Sequence, residues 1–239
     1  MNKIDLRRLN PRDYESKNLT SEEILAWFEN EDAYWIYEGK PNSEKPHAEL
    51  TSGLCSDGFF DCLQVLRYPN IAEILARQLV QRLFPEEHMI PLYGDGWVVS
   101  SSYAAITFGH EVAKALKAIF MMAEKDESNP KKMVWRRMTI PDTARVLQVE
   151  ELVTTSQTFQ EVRRAVEEGN AVKPVYFIPT VGALVHRPPK LPVDYSGRRV
   201  VALIEKEIRA YKPEECPYCA AGSLRYRPKA HWAELTGKK

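Results

Sequence analysis

Neither sign of charge is in excess in this chain. Lysine plus arginine and aspartate plus glutamate number 33 each, so the formal net charge is zero. That balance excludes nucleic-acid binding driven by bulk charge and leaves only a local basic patch as a route to it. Long apolar runs are missing as well. Nothing approaches the ~20 apolar residues of a membrane-spanning helix, and the longest uncharged run with apolar character, 97–109, holds three serines. The first residues, Met1-Asn-Lys-Ile-Asp-Leu-Arg-Arg8, contain no apolar core of a secretory signal. Four cysteines in 239 residues do not make a disulfide framework. Internal repeats and low-complexity tracts are absent too. These absences lead to the expectation of a cytoplasmic protein with free thiols, and neither nucleic acid nor membrane is expected as a partner. A hydrophobic content of 44% and a charged content of 28% are ordinary for a globular chain. The length suffices for one sizeable domain with additions.

The segment from Arg145 to Val166 is the most informative part of the sequence. The apolar run 146–149 reads as a buried strand, with Glu150 and Glu151 where it ends. A hydroxyl-rich turn follows, Thr154-Thr155-Ser156-Gln157-Thr158, and then Phe159, Val162, Ala165 and Val166 fall on one helical face. A turn that opens a helix offers unpaired N–H groups and a positive dipole end, which suit a phosphate. Acids just ahead of it are placed to hold ribose hydroxyls, or a metal through water. The combination describes a sugar-phosphate site; taken by itself it also fits an ordinary capped strand–turn–helix.

The chain around this segment alternates strand and helix. Thr20 or Ser21 caps a helix through Phe28, with Glu23 as capping-box partner. Residues 39–47 read as a loop. A second helix starts near Pro69 and Asn70 and is stopped by Pro85. From about residue 95 the pattern is a strand at 97–100, a helix over 106–119 and a strand at 118–122. A charged loop or hairpin at 124–138 follows, then the 146–149 strand, a helix over 157–168 and a strand at 175–181. This alternation predicts an α/β fold, a mostly parallel twisted sheet with helices on both faces. The expected division is an N-terminal segment and hood (1–68), a core (69–210) and a tail rich in cysteine and basic residues (211–239).

The strand–acid–hydroxyl-turn order resembles the phosphoribosyl-pyrophosphate (PRPP) signature of type I phosphoribosyltransferases. Glu151 stands where that family usually has Asp, and Ser156 and Gln157 stand where it usually has glycine. Further segments extend the resemblance and narrow it to the orotate phosphoribosyltransferases. The stretch 50–60 matches a base-binding region at Ser52, Gly53, Phe59 and Phe60, with Thr51 and Cys55 as departures. The stretch 98–107 resembles a diphosphate loop, implying PRPP contacts at Ser101, Ser102, Tyr103, Ala104 and Ala105, the last two in place of a glycine pair. The resemblance also puts Thr154, Thr155, Ser156, Gln157 and Thr158 on the 5′-phosphate. Lys125 opens the family's mobile cationic loop, where Lys131, Lys132, Arg136 and Arg137 are further candidates. Arg187 takes the place of an arginine facing the orotate carboxylate.

The tail segment 211–219 resembles a Pro-Glu-Glu-Cys-Pro-x-Cys stretch found in some members of the family. Cys216 and Cys219 make half a zinc site; no second pair follows, and His231 would be a third ligand. The pair reads as structural or redox-inert in preference to zinc-binding, and Cys55 and Cys62 stand isolated.

The resemblance thus implies a type I phosphoribosyltransferase fold with a hood, and transfer from PRPP to orotate with Mg²⁺ carried by the diphosphate. Lys125, Glu150 and Glu151 are the implied catalytic groups, and a homodimer the implied assembly. Two alternatives remain: a phosphoribosyltransferase for another base, and a non-catalytic nucleotide-sensing protein on the same fold.

Overall fold

Short apolar runs separated by helices build one five-stranded, all-parallel sheet. Its strands are β5 (Trp97–Ser100), β6 (Ile119–Met122), β9 (Arg145–Val153), β10 (Tyr176–His186) and β11 (Arg199–Glu205), in the spatial order β11-β10-β9-β5-β6. This computed structural model describes residues 4–85, 92, 95–130 and 132–237. Lys131, one of the candidate loop cations, lies outside the described residues.

Ahead of the sheet come α1 (Ser21–Asn30), β1 (Tyr34–Ile36), β2 (His47–Glu49), β3 (Cys55–Ser56), β4 (Gly58–Phe60), α2 (Cys62–Leu66) and α3 (Pro69–Leu83). The Thr20 capping box is formed, with Glu23 reaching back to the Thr20 N–H at 2.8 Å. Between the sheet strands lie α4 (Ala105–Leu116), the hairpin β7 (Glu124–Lys125) with β8 (Met133–Val134), and α5 (Gln157–Gly169). β12 (Ala210–Tyr211), α6 (Pro217–Ala220), β13 (Arg225–Tyr226) and α7 (Trp232–Thr236) follow.

Helices cover both faces of the sheet. Val98, Leu147, Val149 and Leu184 pack with α1, α3 and α4. Val99 and Val146 pack on the other face with Val162, Ala165 and Val166 of α5. The edge strand β11 is closed off by side chains: Arg82 donates to the carbonyls of Ala202 and Leu203 at 3.0 and 2.8 Å, and Ser21 donates to Leu203 at 2.8 Å.

Several expected boundaries move. β9 runs past 149 to Val153, so Glu150 and Glu151 sit within the strand; β10 supplies ladder partners as far as Val153↔His186. β10 extends to His186 instead of stopping at 181, and β11 has no counterpart in the expectations. The helix expected over 106–119 stops at Leu116 because Lys117 adopts a left-handed conformation, φ 54°, that turns the chain into β6. The charged stretch 124–138 is a hairpin, pairing Glu124 with Val134 and Lys125 with Met133.

The tail is built into the hood. A four-stranded sheet has the order β12-β3-β2-β13, so two strands of the tail flank the hood hairpin, one on each side. Cys55 is therefore not isolated: it lies with His47, Cys216 and Cys219, their ligand atoms all within 4.8 Å of one another. His231 does not join them and pairs with Glu234 at 3.3 Å.

Candidate active site

The order of the sheet reverses beside β5: β6 lies on one side of it and β9 on the other. Ligands of open α/β sheets bind at such a switch point, beyond the carboxyl ends of the strands. The carboxyl ends of β5 and β9 carry Ser101, Ser102, Glu150 and Glu151, and these residues line a cavity of ≈ 680 Å³. Thr154, Thr155, Gln157 and Thr158 form its far wall, and Lys125 stands at its rim as the one cation among the described lining residues.

The strand pleat sorts the acids. Gln148 and Glu150 share the α5 face: Gln148 donates to the Phe159 carbonyl at 3.0 Å and to Glu150 Oε1 at 3.2 Å. Ser101 donates to Glu150 Oε2 at 2.5 Å. Glu150 is only 1% exposed. Burial, opposed by the Ser101 hydrogen bond and reinforced by the charge of Glu151, pushes its carboxyl up to about 8. Glu151, also raised by burial, lines this cavity and a smaller one of ≈ 170 Å³.

The smaller cavity contains Phe60, Cys62, Ala104 and Arg187, with Lys229 of the tail. Arg187 follows β10 directly, and its backbone N–H continues the ladder to Val153 at 2.8 Å. Its side chain is largely buried, and burial lowers its pKa. The Nε is shielded from solvent and has no hydrogen-bond partner, and the guanidinium forms no ion pair with a described carboxylate. Lys229, by contrast, is paired with Asp61 at 3.1 Å. The buried hydroxyl of Ser102, on the larger cavity, is likewise without a partner. A buried donor left unmade costs about 1–3 kcal/mol, more for a charged group, so Ser102 and Arg187 mark where a ligand completes the structure.

The helix end beside this cavity is only weakly capped, the Thr155 hydroxyl accepting from the Gln157 N–H at 3.5 Å. Ser156, the N-cap of α5, makes no side-chain cap bond. Its hydroxyl accepts from Gln160 at 2.8 Å and does not line the cavity. The first N–H groups of α5 therefore have no side-chain cap from Ser156. On the β5 side, the Ser102–Tyr103 peptide is cis and Tyr103 is exposed. Ala104 is right-handed, φ −65°, and Ala105 begins α4. The loop thus turns without the positive φ that a glycine pair permits. Lys125 Nζ lies 5.7 Å from the Tyr103 ring, tying the hairpin to this loop.

The curated orotate phosphoribosyltransferase of Pelotomaculum thermopropionicum is 32% identical to this chain over 212 residues, 88% of this chain and 97% of that protein. The chain belongs to the orotate phosphoribosyltransferase family. The enzyme of that name from Carboxydothermus hydrogenoformans is 31% identical over 193 residues, covering 80% of this chain and 93% of its own. Among solved structures, orotate phosphoribosyltransferase from Aeropyrum pernix superposes with a TM-score of 0.52 at 13% identity, over 74% of this chain and 90% of that one. Likeness at that identity speaks for the fold, the type I phosphoribosyltransferase fold. No family model matches the chain.

Other candidates lie outside both cavities. Ser52 and Gly53 form the turn between β2 and β3, Gly53 at φ 81°. Phe59 faces Trp232 of α7, ring centroids 6.4 Å apart, while Phe60 reaches the smaller cavity. Arg137 pairs with Glu124 at 2.6 Å, and Lys132 and Arg136 line a different hollow. Sequence reasoning passed over Gln148 and Lys229, and left Cys62, which lines the smaller cavity, as an isolated cysteine. Gln148 carried a usable signal, a polar residue inside an apolar run two positions before a carboxylate. Lys229 comes from the tail and carried none. A second large hollow, ≈ 620 Å³, lies between Arg7 and Arg67, but these arginines are already paired with Asp5 and Glu31 at 2.8 and 2.7 Å.

Proposed function

We propose that the two adjoining cavities transfer the phosphoribosyl group of PRPP to N1 of orotate, giving orotidine 5′-monophosphate and diphosphate, a step in pyrimidine nucleotide synthesis. The protein is a pentosyltransferase of the orotate phosphoribosyltransferase family. The observation that carries the choice of base is Arg187, a largely buried guanidinium without a carboxylate partner, in a cavity joined to the phosphoribosyl cavity through Glu151. A planar base bearing a carboxylate supplies the missing acceptor.

The bond from ribose C1 to the diphosphate oxygen breaks as the bond to orotate N1 forms, and the N1 proton passes to the departing diphosphate. The electron pair leaves with the diphosphate, so positive charge develops on the ribose ring, as in glycosyl transfer generally. No side chain attacks. The N-terminus of α5 with Thr154, Thr155 and Thr158 holds the 5′-phosphate. Glu150 and Glu151 are placed to take hydrogen bonds from ribose hydroxyls. Ser101, Ser102 and the backbone of 103–105 receive the diphosphate, and Lys125 faces the charge it gains. Glu150, Glu151 and Glu161 line this cavity but are not gathered into a metal-binding group among the described residues, so a cation there would be held through substrate oxygens. Mg²⁺ carried there supplies neutralisation of the leaving group.

A homodimer belongs to the same reading. The β7–β8 hairpin at the cavity mouth, which packs on α5 through Met133 with Arg164 donating to its carbonyl at 3.1 Å, corresponds to the mobile loop that the family's dimers share across their interface. The four free thiols fit a reducing compartment, and we assign the protein to the cytoplasm.

Diphosphate release measured with orotate, hypoxanthine and adenine tests the reaction. Orotate is expected to be used best, and Arg187→Ala to lower its kcat/KM by ~2–5 kcal/mol, since truncation strands a buried carboxylate. Preference for a purine moves the base assignment. Tight nucleotide binding with no turnover on any base replaces catalysis by sensing.

A further inference from the structure

We infer that His47, Cys55, Cys216 and Cys219 bind one zinc ion in a closed tetrahedral site that joins the hood to the tail. This inference stands apart from the reaction at the two cavities. It rests on distances, a tautomer and burial.

The distances come first. Cys55 Sγ and Cys219 Sγ are 3.6 Å apart. His47 Nε2 lies 3.6 Å from Cys216 Sγ and 3.5 Å from Cys219 Sγ. A tetrahedron with zinc–sulfur bonds of about 2.3 Å and a zinc–nitrogen bond of 2.0–2.1 Å has edges of about 3.8 Å between sulfurs and about 3.6 Å from sulfur to nitrogen. These three separations match those edges, and all four ligand atoms lie within 4.8 Å of one another. They do not match a disulfide, which brings sulfurs to about 2.05 Å. The spacing also suits the chemistry: two ligands from one Cys-Pro-Tyr-Cys turn at the start of α6, and one from each strand of the β2–β3 hairpin.

The histidine is set for the task. Ser223 Oγ gives its one proton to the Lys45 carbonyl at 2.7 Å, so it accepts from His47 Nδ1 at 2.8 Å. That leaves Nε2 as the unprotonated nitrogen, and Nε2 is the atom that faces the sulfurs. A ligating histidine whose other nitrogen is held by a hydrogen bond is the usual outer arrangement of a protein zinc site. The Tyr218 ring stacks on the imidazole, centroids 5.4 Å apart, and keeps it in plane.

Charge and access agree. Three thiolates on one Zn²⁺ leave a net negative site, and the guanidinium of Arg225 on β13 faces Cys55. His47, Cys55 and Cys216 are 0%, 0% and 2% exposed, with Tyr37 and Tyr218 packed around the sulfurs. Four protein ligands fill the tetrahedron, leaving no position for water or substrate, so the role is structural. Zinc here clamps the hairpin before Phe59 and Phe60 to the tail that supplies Lys229 and Trp232.

The test uses the full chain, purified without chelator. Elemental analysis is expected to return one zinc per chain, released when an organomercurial titrates the thiols. Replacement by Co²⁺ is expected to give the thiolate-to-cobalt charge-transfer band and the intense visible bands of a tetrahedral site. Cys219→Ser and His47→Gln are each expected to lower zinc affinity at least tenfold, whereas Cys62→Ser retains the full zinc content. Metal-free protein whose four thiols react without releasing a cation overturns the inference, as does a Cys216–Cys219 or Cys55–Cys219 disulfide in freshly purified protein. Both outcomes are read on the unmutated chain, so they do not depend on any variant folding.

Discussion

Burial of Glu150 lifts its carboxyl from an ordinary 4.5 to about 8, and the sign of the consequence can be worked out. Between those values the unfolded chain has lost the proton and the folded protein keeps it. Stability therefore falls as pH rises through this window, by about 1.4 kcal/mol per pH unit, and the loss is complete above about 8. Glu150→Gln removes the slope while keeping an acceptor for Ser101. Denaturant titrations below and above the window are expected to show the variant more stable than the parent only on the alkaline side, with PRPP affinity reduced throughout. An unchanged pH slope would place the titrating group elsewhere. Lys125 behaves differently, being an exposed cation whose only described ring contact is Tyr103. On the proposed reaction it faces charge that develops on the leaving diphosphate, so Lys125→Ala is expected to lower kcat by roughly 10–100-fold while the Kd for PRPP changes less. Single-turnover rates beside a binding titration separate the two, and an unchanged kcat assigns the hairpin to solvated surface. At this scale the acids and Lys125 were legible, because each abuts an apolar run. The isolation of Arg187 was not, since the sequence shows Pro188 and Pro189 after it and nothing of the cavity wall.

Elements were legible where local chemistry decides them. The Thr20 capping box and Pro69 set the starts of α1 and α3. The length of β9 was not, because its ladder to β10 carries it across the polar pair Glu150 and Glu151, a non-local cause. The join between the loop before β9 and the end of α5 was equally hidden. Asn170, buried after α5, accepts from the Ile140 N–H at 2.7 Å and donates to the Ile140 and Val172 carbonyls at 2.8 and 2.6 Å. Asn170→Ala strands buried backbone groups and is expected to cost ~2–4 kcal/mol. Urea unfolding measures this, and a change under about 0.5 kcal/mol would mean that the loop re-pairs with water.

The whole molecule departs from its sequence reading in one respect: the tail is not an appendage. Alternating strand and helix predicted the parallel core, because each unit is local in sequence. The four-stranded sheet could not be foreseen, since its outer strands are two residues each and carry no periodicity of their own. Within that sheet Glu49 and Arg227 meet across 178 residues. At about 5–20 residues per second of synthesis, the hairpin that opens the hood waits roughly 9–36 s for the strands that flank it. During that interval β2 and β3 have two bare edges and their cysteine and histidine are unmatched, while the parallel core behind them is already forming. The wall of the smaller cavity that the tail supplies is thus the last part of the molecule to be assembled, and a nascent chain stalled before residue 210 holds a nearly complete larger cavity without the Lys229 side of the smaller one.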